Sequence, residues 1–225
     1  MGKVPFLLAL LLSVFLLQPA WAQPEHPLTG RKIAPVMGAG GAGWLERSER
    51  ETEEQPEKAL DAMDIREGMV VADVGAGTGY MTLRIARRVG LTGKVYGNDV
   101  QPEMIRRLRD NAAKAKLDNI EPVLGAEADP KLPAGKMDLV LMVDVYHELS
   151  RPQEMLRKIR AALKPDGRLV LLEYRKEDPK VPIKLEHKMS VDEVKTEVEA
   201  EGFKLDKTVE TLPRQHILFF RKLSM

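Results

Sequence analysis

Three groups of residues in this sequence could do chemistry together. The first is Asp73-Val74-Gly75-Ala76-Gly77-Thr78-Gly79-Tyr80, a glycine-rich turn led by a carboxylate. Glycines in such a turn let the backbone approach a ligand closely and take conformations that a Cβ would forbid. The spacing is G-x-G-x-G, whereas a dinucleotide fingerprint asks for G-x-G-x-x-G, and Tyr80 stands where the third fingerprint glycine would fall. The second group is Asp99, a carboxylate able to accept both hydroxyls of a ribose; its plainer reading is a turn residue ahead of Pro102, as Asp73 could merely cap the following helix. The third is Asp144-Val145-Tyr146-His147-Glu148, which offers a carboxylate, a phenol and an imidazole. His147 is the base candidate, because imidazole accepts a proton near neutral pH, and Tyr146 is the second catalytic candidate. The structural alternative is that His147 and Glu148 only hydrogen-bond the start of the next helix. Glu173, Tyr174 and His187 could line an acceptor pocket. A metal held by Asp144, Glu173 and His187 finds no support in their spacing, so no metal ligand is assigned. His216 sits within an apolar run and reads as packed core.

The elements that must position these residues follow from periodicity. Met69 to Val74 is a buried strand by its β-branched content, and Met81, Ile85 and Val89 then recur at helical spacing. Val95-Tyr96 begins a second strand that ends at Asp99; Pro102 opens a helix with Met104, Leu108, Ala112 and Ala115 on one face. Ile120 to Leu124 is a third strand, and the apolar run Leu139 to Val143 is a fourth, covered on both faces. Ser150-Arg151-Pro152-Gln153 has a capping-box pattern for a helix stopped by Pro165 and Gly167, before a fifth strand at Leu169 to Leu172. Ser190-Val191-Asp192-Glu193 caps another helix, which Gly202 ends, and Phe203 to Val209 with His216 to Phe220 closes the chain as an antiparallel hairpin. Repeated β-α units imply a mostly parallel sheet with right-handed crossovers, helices on both faces, and ligands held past the carboxyl ends of the strands.

With these elements in place the sequence resembles the class I S-adenosylmethionine-dependent methyltransferases, over roughly residues 45–222. The resemblance rests on Val71 to Tyr80, on Tyr96-Gly97-Asn98-Asp99-Val100-Gln101-Pro102-Glu103-Met104, on Met137 to Glu148, and on Leu163-Lys164-Pro165-Asp166-Gly167-Arg168-Leu169, four matches in family order. It implies an α/β, Rossmann-like, doubly wound sheet of seven strands, mostly parallel with an antiparallel last strand. It implies S-adenosylmethionine as cofactor, with Asp73, Gly75, Ala76, Gly77, Gly79 and Tyr80 passing its amino acid part, Asp99 and Val100 at the ribose, and Asp144 on the same crevice. The family's usual acidic residue directly after the strand-three glycine is missing, since Gly125 is followed by Ala126 and only then by Glu127; those two are the adenine-side candidates, with Asp129 behind them. The expected activity is methyl transfer to a small-molecule acceptor, and the alternative is a non-catalytic, sensor-like cofactor binder.

Composition sets the outer limits. The 225 residues carry 35 Lys+Arg against 34 Asp+Glu, a net charge of +1, so no global field draws the protein to nucleic acid or to an anionic membrane. The chain has no Cys, which excludes disulfides, thiolate metal sites and a thiol nucleophile. Residues 1–22 differ from the rest: Lys3 is their single charge, Phe6 to Leu17 is apolar except for Ser13, and Ala20-Trp21-Ala22 supplies a small-x-small cleavage site. This is an export signal by pattern, too short to span a bilayer, giving an expected mature start at Gln23 and a periplasmic or secreted domain without a stable membrane span. Residues 23–44 are rich in Pro and Gly and read as a linker or a lid, ahead of a charged helix from Glu46 to Glu57 to which no chemistry is assigned. Oligomeric state is not readable from these features.

Overall fold

The structure is a computed structural model that describes residues 24–223; the expected leader and mature start lie outside the described residues. The first strand, β1 (Val70–Val74), is followed by α4 (Tyr80–Val89), β2 (Lys94–Asp99), α5 (Pro102–Lys114) and β3 (Ile120–Leu124). Ahead of them stand three short helices, α1 (Ala42–Leu45), α2 (Arg50–Glu53) and α3 (Pro56–Ala62). After β4 (Met137–Val143) come α6 (Pro152–Ala162), β5 (Leu163–Arg175), the two-residue β6 (Lys188–Met189), α7 (Val191–Glu199), β7 (Phe203–Val209) and β8 (Gln215–Lys222). The sheet runs β3-β2-β1-β4-β5-β8-β7, with β6 paired beside the end of β5. Pairings from β3 through β5 are parallel, and β8 is antiparallel to both β5 and β7.

Alternation along the central strands explains why both faces are covered. On β4, Val140 and Met142 join a core with Met155, Leu156 and Ile159 of α6 and Val194 and Val198 of α7, while Leu139 and Leu141 join a core with Leu60 of α3 and Ile85 and Val89 of α4. On β8, Leu218 and Phe220 face the first core and Ile217 and Phe219 the second. Side chains on a strand point to opposite faces in turn, so an unbroken apolar run must be buried on both sides.

Local signals held where the backbone itself was constrained. Pro102 is the first residue of α5, and Ser190 accepts from the Glu193 backbone N–H at 3.1 Å while Glu193 accepts from the Ser190 N–H at 3.0 Å, a complete capping box on α7. Three expectations are corrected. The charged helix from Glu46 to Glu57 is two helices, because Gln55 takes a left-handed φ of 48° ahead of Pro56. Ser150 does not cap α6; its hydroxyl donates to Glu127, and Arg151 occupies the cap position. The helix before β5 stops at Ala162, and the strand takes in Leu163 to Gly167, with a register shift opposite Met137 and Leu139 that absorbs the extra residues.

The segment ahead of α1 is packed on the domain. Arg31 pairs with Glu197 of α7 through Nη2 at 2.9 Å and Nε at 3.0 Å, and Thr29 donates to the same carboxylate. Glu197 is fully buried, and His26 lies 3.5 Å from its second oxygen. Removing one partner of such a pair leaves a buried charge without compensation. Glu197→Ala is therefore expected to lower stability in urea titration by about 3 kcal/mol; a loss under ~1 kcal/mol would show that this clamp is uncoupled from the folded sheet.

Candidate functional site

The chain winds outward from β1 to β3 and then returns to place β4 on the other side of β1, so the carboxyl ends of β1 and β4 flank a crevice. A cavity of about 680 Å³ opens there, large enough for a cofactor and part of an acceptor. Gly75 and Gly77 of the loop after β1, Asp99 and Val100 after β2, and Asp144 and His147 after β4 all reach its wall.

Sterics make the two loop glycines necessary. Gly75 has φ +77°, and a Cβ there would meet Val145 Cγ2 at 2.3 Å; Gly77 has φ +55° with Leu45 Cδ1 2.7 Å from its would-be Cβ. The backbone N–H groups of Gly75 and Ala76 both donate to the Asn98 carbonyl at 2.8 Å, which ties the loop to the end of β2. Asp99 completes that tie by accepting from Gly77 N at 3.0 Å through one oxygen and from Gln101 N at 2.9 Å through the other. Burial raises the Asp99 pKa, offset in part by those amides. Asp73 sits behind the loop and accepts from Thr82 Oγ1 of α4 at 2.6 Å rather than capping the helix. Burial pushes its pKa up from the ordinary 3.8 to about 6.

Asp144 leaves β4 with a left-handed φ of 53°. One of its oxygens accepts from Gln215 Nε2 at 2.7 Å, and the other is buried without a partner. Burial, with Glu54 and Glu173 nearby, holds this carboxyl well above the usual carboxylate range. Beyond it, a short 3-10 turn, Tyr146–Glu148, carries His147. Glu173 of β5, wholly buried, accepts the His147 Nδ1 contact at 2.6 Å through one oxygen and the Tyr146 backbone N–H at 2.9 Å through the other. In the neutral tautomer with the proton on Nδ1 toward that carboxylate, Nε2 offers its lone pair on the cavity side, 3.1 Å from Nδ1 of His187. Burial pushes Glu148, the next residue, up to about 7.

Several expected site residues are elsewhere. Tyr146 is fully buried away from the cavity, its ring 5.7 Å from the Arg31 guanidinium, and only its backbone serves the site. Tyr80 stands outside the wall, stacked between Arg50 and Arg84 with its hydroxyl donating to Glu51 at 2.6 Å. Ala126 is held in a tight bridge with Asp129, and Glu127 accepts from Ser150, so neither reaches the cavity. Ala76 and Gly79 shape the loop without lining the cavity, Gly79 because it packs on Leu108. Tyr174 does line the cavity and donates to Glu54 at 3.0 Å; His216 is buried but bonded to Glu210 and Glu177 rather than packed among apolar groups. The charge run passed over in the sequence supplies a wall, since Arg47 and Arg50 both bind Glu54 and all three line the cavity. The i,i+4 spacing of Arg50 and Glu54 was the only available signal. Pro35, Val36 and Met37 lie along the rim, where the Met37 carbonyl accepts from Gln101 Nε2 at 3.0 Å.

A family model described as a methyltransferase domain matches residues 65–213. The chain belongs to that family. Its fold is that of a solved S-adenosylmethionine-dependent methyltransferase from Aquifex aeolicus, 29% identical with a TM-score of 0.78, covering 82% of this chain and 98% of the other. The [4+2]-cyclase SpnF shares the fold at a TM-score of 0.64 and 18% identity, over 76% of this chain and 81% of that one. Among curated relatives, nocamycin O-methyltransferase of Saccharothrix syringae is 37% identical over 117 residues, 51% of this chain and 41% of that protein. A ubiquinone/menaquinone biosynthesis C-methyltransferase of Escherichia fergusonii is 33% identical over 119 residues, 52% of this chain and 47% of that protein. The chain thus matches somewhat under half the length of these two relatives.

The cofactor of this methyltransferase domain is S-adenosylmethionine, and the residues present fit it. Gly75 and Gly77 present bare backbone to the cavity, and the unpartnered Asp144 oxygen is a buried acceptor on the same wall.

A carboxyl whose pKa is higher in the fold than in the unfolded chain binds its proton more tightly when folded, so it loses stability as pH rises. For Asp73 the loss accumulates between roughly pH 4 and pH 6, up to ~3 kcal/mol. Asp73→Asn keeps an oxygen for Thr82, and its thermal midpoint is expected to match the parent at pH 4 and exceed it at pH 7.5. Equal midpoints at both pH values would contradict this.

Proposed function

We propose that the cavity takes S-adenosylmethionine with its ribose hydroxyls on Asp99 and its amino acid part along Gly75 and Gly77, and that the domain transfers a methyl group to a small, largely apolar acceptor. The observation that carries this reading is that Asp99 and the His147, Glu148 and His187 cluster border one continuous space, walled by apolar groups such as Val74, Val143, Met155 and Ile183. Bound there, the sulfonium supplies an activated methyl group; the chain's work is to align the acceptor and exclude water. Arg47, Arg50 and Glu54 form one wall, and Tyr174 helps hold Glu54 in place by donating to it.

The acceptor must present an electron pair in line with the methyl group. The polar cluster around His147 supports an acceptor whose hydroxyl or acidic carbon loses a proton against that cluster. The relatives named for O- and C-methylation support the same two kinds of acceptor atom. They also favour turnover over a sensor-like role. A fold shared with a [4+2]-cyclase carries no reaction by itself, so the reading rests on the cavity and on the family. The pattern in residues 1–22 supports export of the domain, and sequencing the mature N-terminus of protein recovered outside the cytoplasm should return Gln23; an intact Met1 on cytoplasmic protein would refute it.

In calorimetry the full chain is expected to bind S-adenosylmethionine. Asp99→Ala should weaken that binding at least tenfold, as loss of hydrogen bonds to a charged group does, while the circular dichroism spectrum stays unchanged. Absence of a binding heat in the parent protein would overturn the reading.

A further inference from the structure

The atoms of His147, Glu148 and His187 that face one another have a spacing that hydrogen bonding alone does not require. His147 Nε2 is 3.1 Å from His187 Nδ1, and Glu148 Oε1 is 3.9 Å from each of those nitrogens. A point equidistant from the three lies ~2.1 Å from each, the bond length of first-row cations to imidazole nitrogen and carboxylate oxygen. The rings of the two histidines are nearly perpendicular, at 84°, so each can aim a nitrogen lone pair at a common point.

We propose that His147, Glu148 and His187 bind one divalent first-row transition cation, of which Zn²⁺ is the model, with its open coordination position facing the cavity. Two further observations support it. Glu173 accepts from His147 Nδ1 at 2.6 Å, the carboxylate behind imidazole that commonly orients a metal-binding histidine and leaves Nε2 unprotonated. Asp144, Glu148 and Glu173 are also all at least half-buried, and among the described residues none of them forms an ion pair with Lys or Arg. Two neutral imidazoles and a carboxylate suit Zn²⁺ or Fe²⁺ better than Mg²⁺ or Ca²⁺, which prefer oxygen donors throughout. The ligands come from two places, the turn after β4 and the short 3-10 turn Leu185–His187 ahead of β6, so the cation would also join those segments.

This inference deepens the methyltransferase reading and rests on it for its chemical purpose. An acceptor hydroxyl placed on the cation ionises more readily, its proton passing to water. The new O–C bond then forms as the S–C bond breaks, with the electron pair of that bond remaining on sulfur, so no oxidant or reductant is consumed. The cation, rather than His147 itself, would be the group that turns the hydroxyl into a nucleophile.

The test uses untagged full-length protein stripped of metal. Titration with Zn²⁺ in a calorimeter should show one ion per chain, and Co²⁺ should give visible bands of a four- or five-coordinate site. His187 is partly exposed, and His187→Ala is expected to stay folded by circular dichroism while weakening Zn²⁺ binding at least tenfold. Glu173→Gln touches no ligand atom of the cation and should weaken binding about 10- to 100-fold through the orientation of His147. Absence of Zn²⁺ uptake, or uptake unchanged in both His187→Ala and Glu148→Gln, would overturn the proposal. S-adenosylmethionine calorimetry on the same samples separates the two readings. Cofactor binding without Zn²⁺ uptake refutes the cation site alone, and Zn²⁺ uptake without cofactor binding refutes the methyltransferase reading alone.

Discussion

Adjacent parallel strands whose crossovers depart to opposite sides cannot close the space above their carboxyl ends, and β1 and β4 are such a pair. The candidate site is arranged around that gap. The glycine loop leaves β1 on one side, the Asp144 to Glu148 turn leaves β4 on the other, and the first meets the second where Gly75 packs against Val145. A Cβ on Gly75 would push the two margins apart, so the width of the crevice is set by the absence of one carbon atom. The two cores beneath, one on each face of the sheet, hold the strand ends in register and keep that width constant.

A second theme is the number of carboxylates kept in low-dielectric surroundings. Asp73, Asp99 and Glu173 are buried, and Asp144 and Glu148 are partly so. Each is costly unless something compensates it. Asp99 is compensated by backbone amides, Asp73 by one hydroxyl, and Glu173 by an imidazole and an amide. Asp144 is only half satisfied, which is the mark of a group arranged for something other than stability. Around the cavity these charged groups alternate with apolar ones such as Val74, Val143, Met155 and Ile183.

What the sequence disclosed and what it hid divide along a physical line. The placement of Gly75, Gly77, Asp99 and His147 around one cavity was legible because each answers a local demand: a positive φ, the end of a strand, a turn beside it. Strands and the α7 cap were legible for the same reason, since their signals lie within a few residues. Tyr146 and Tyr80 misled because a side chain's direction depends on what packs over it, here Arg31 from the N-terminal segment and Arg50 from α2. The wall formed by Arg47, Arg50 and Glu54 looked like a solvated face, and its role emerges only once Tyr174, 120 residues away from Glu54, supplies the partner. The meeting of His147 with His187 across 40 residues is likewise invisible to spacing rules, and so was the exchange of Ser150 from cap to partner of Glu127.

The contacts of the N-terminal segment carry a consequence for how the molecule assembles. The His147 carbonyl accepts from the Ala34 backbone at 3.0 Å and from Arg31 at 3.1 Å, and Arg31 in turn needs Glu197, 166 positions later. The rim of the cavity at Pro35 to Met37 is the continuation of that same stretch. The 31–37 stretch thus docks only once α7 is present, a closure of high contact order that costs chain entropy. The complete cavity wall therefore depends on a contact between segments distant in sequence, and a chain lacking α7 could not hold the 31–37 stretch in this way.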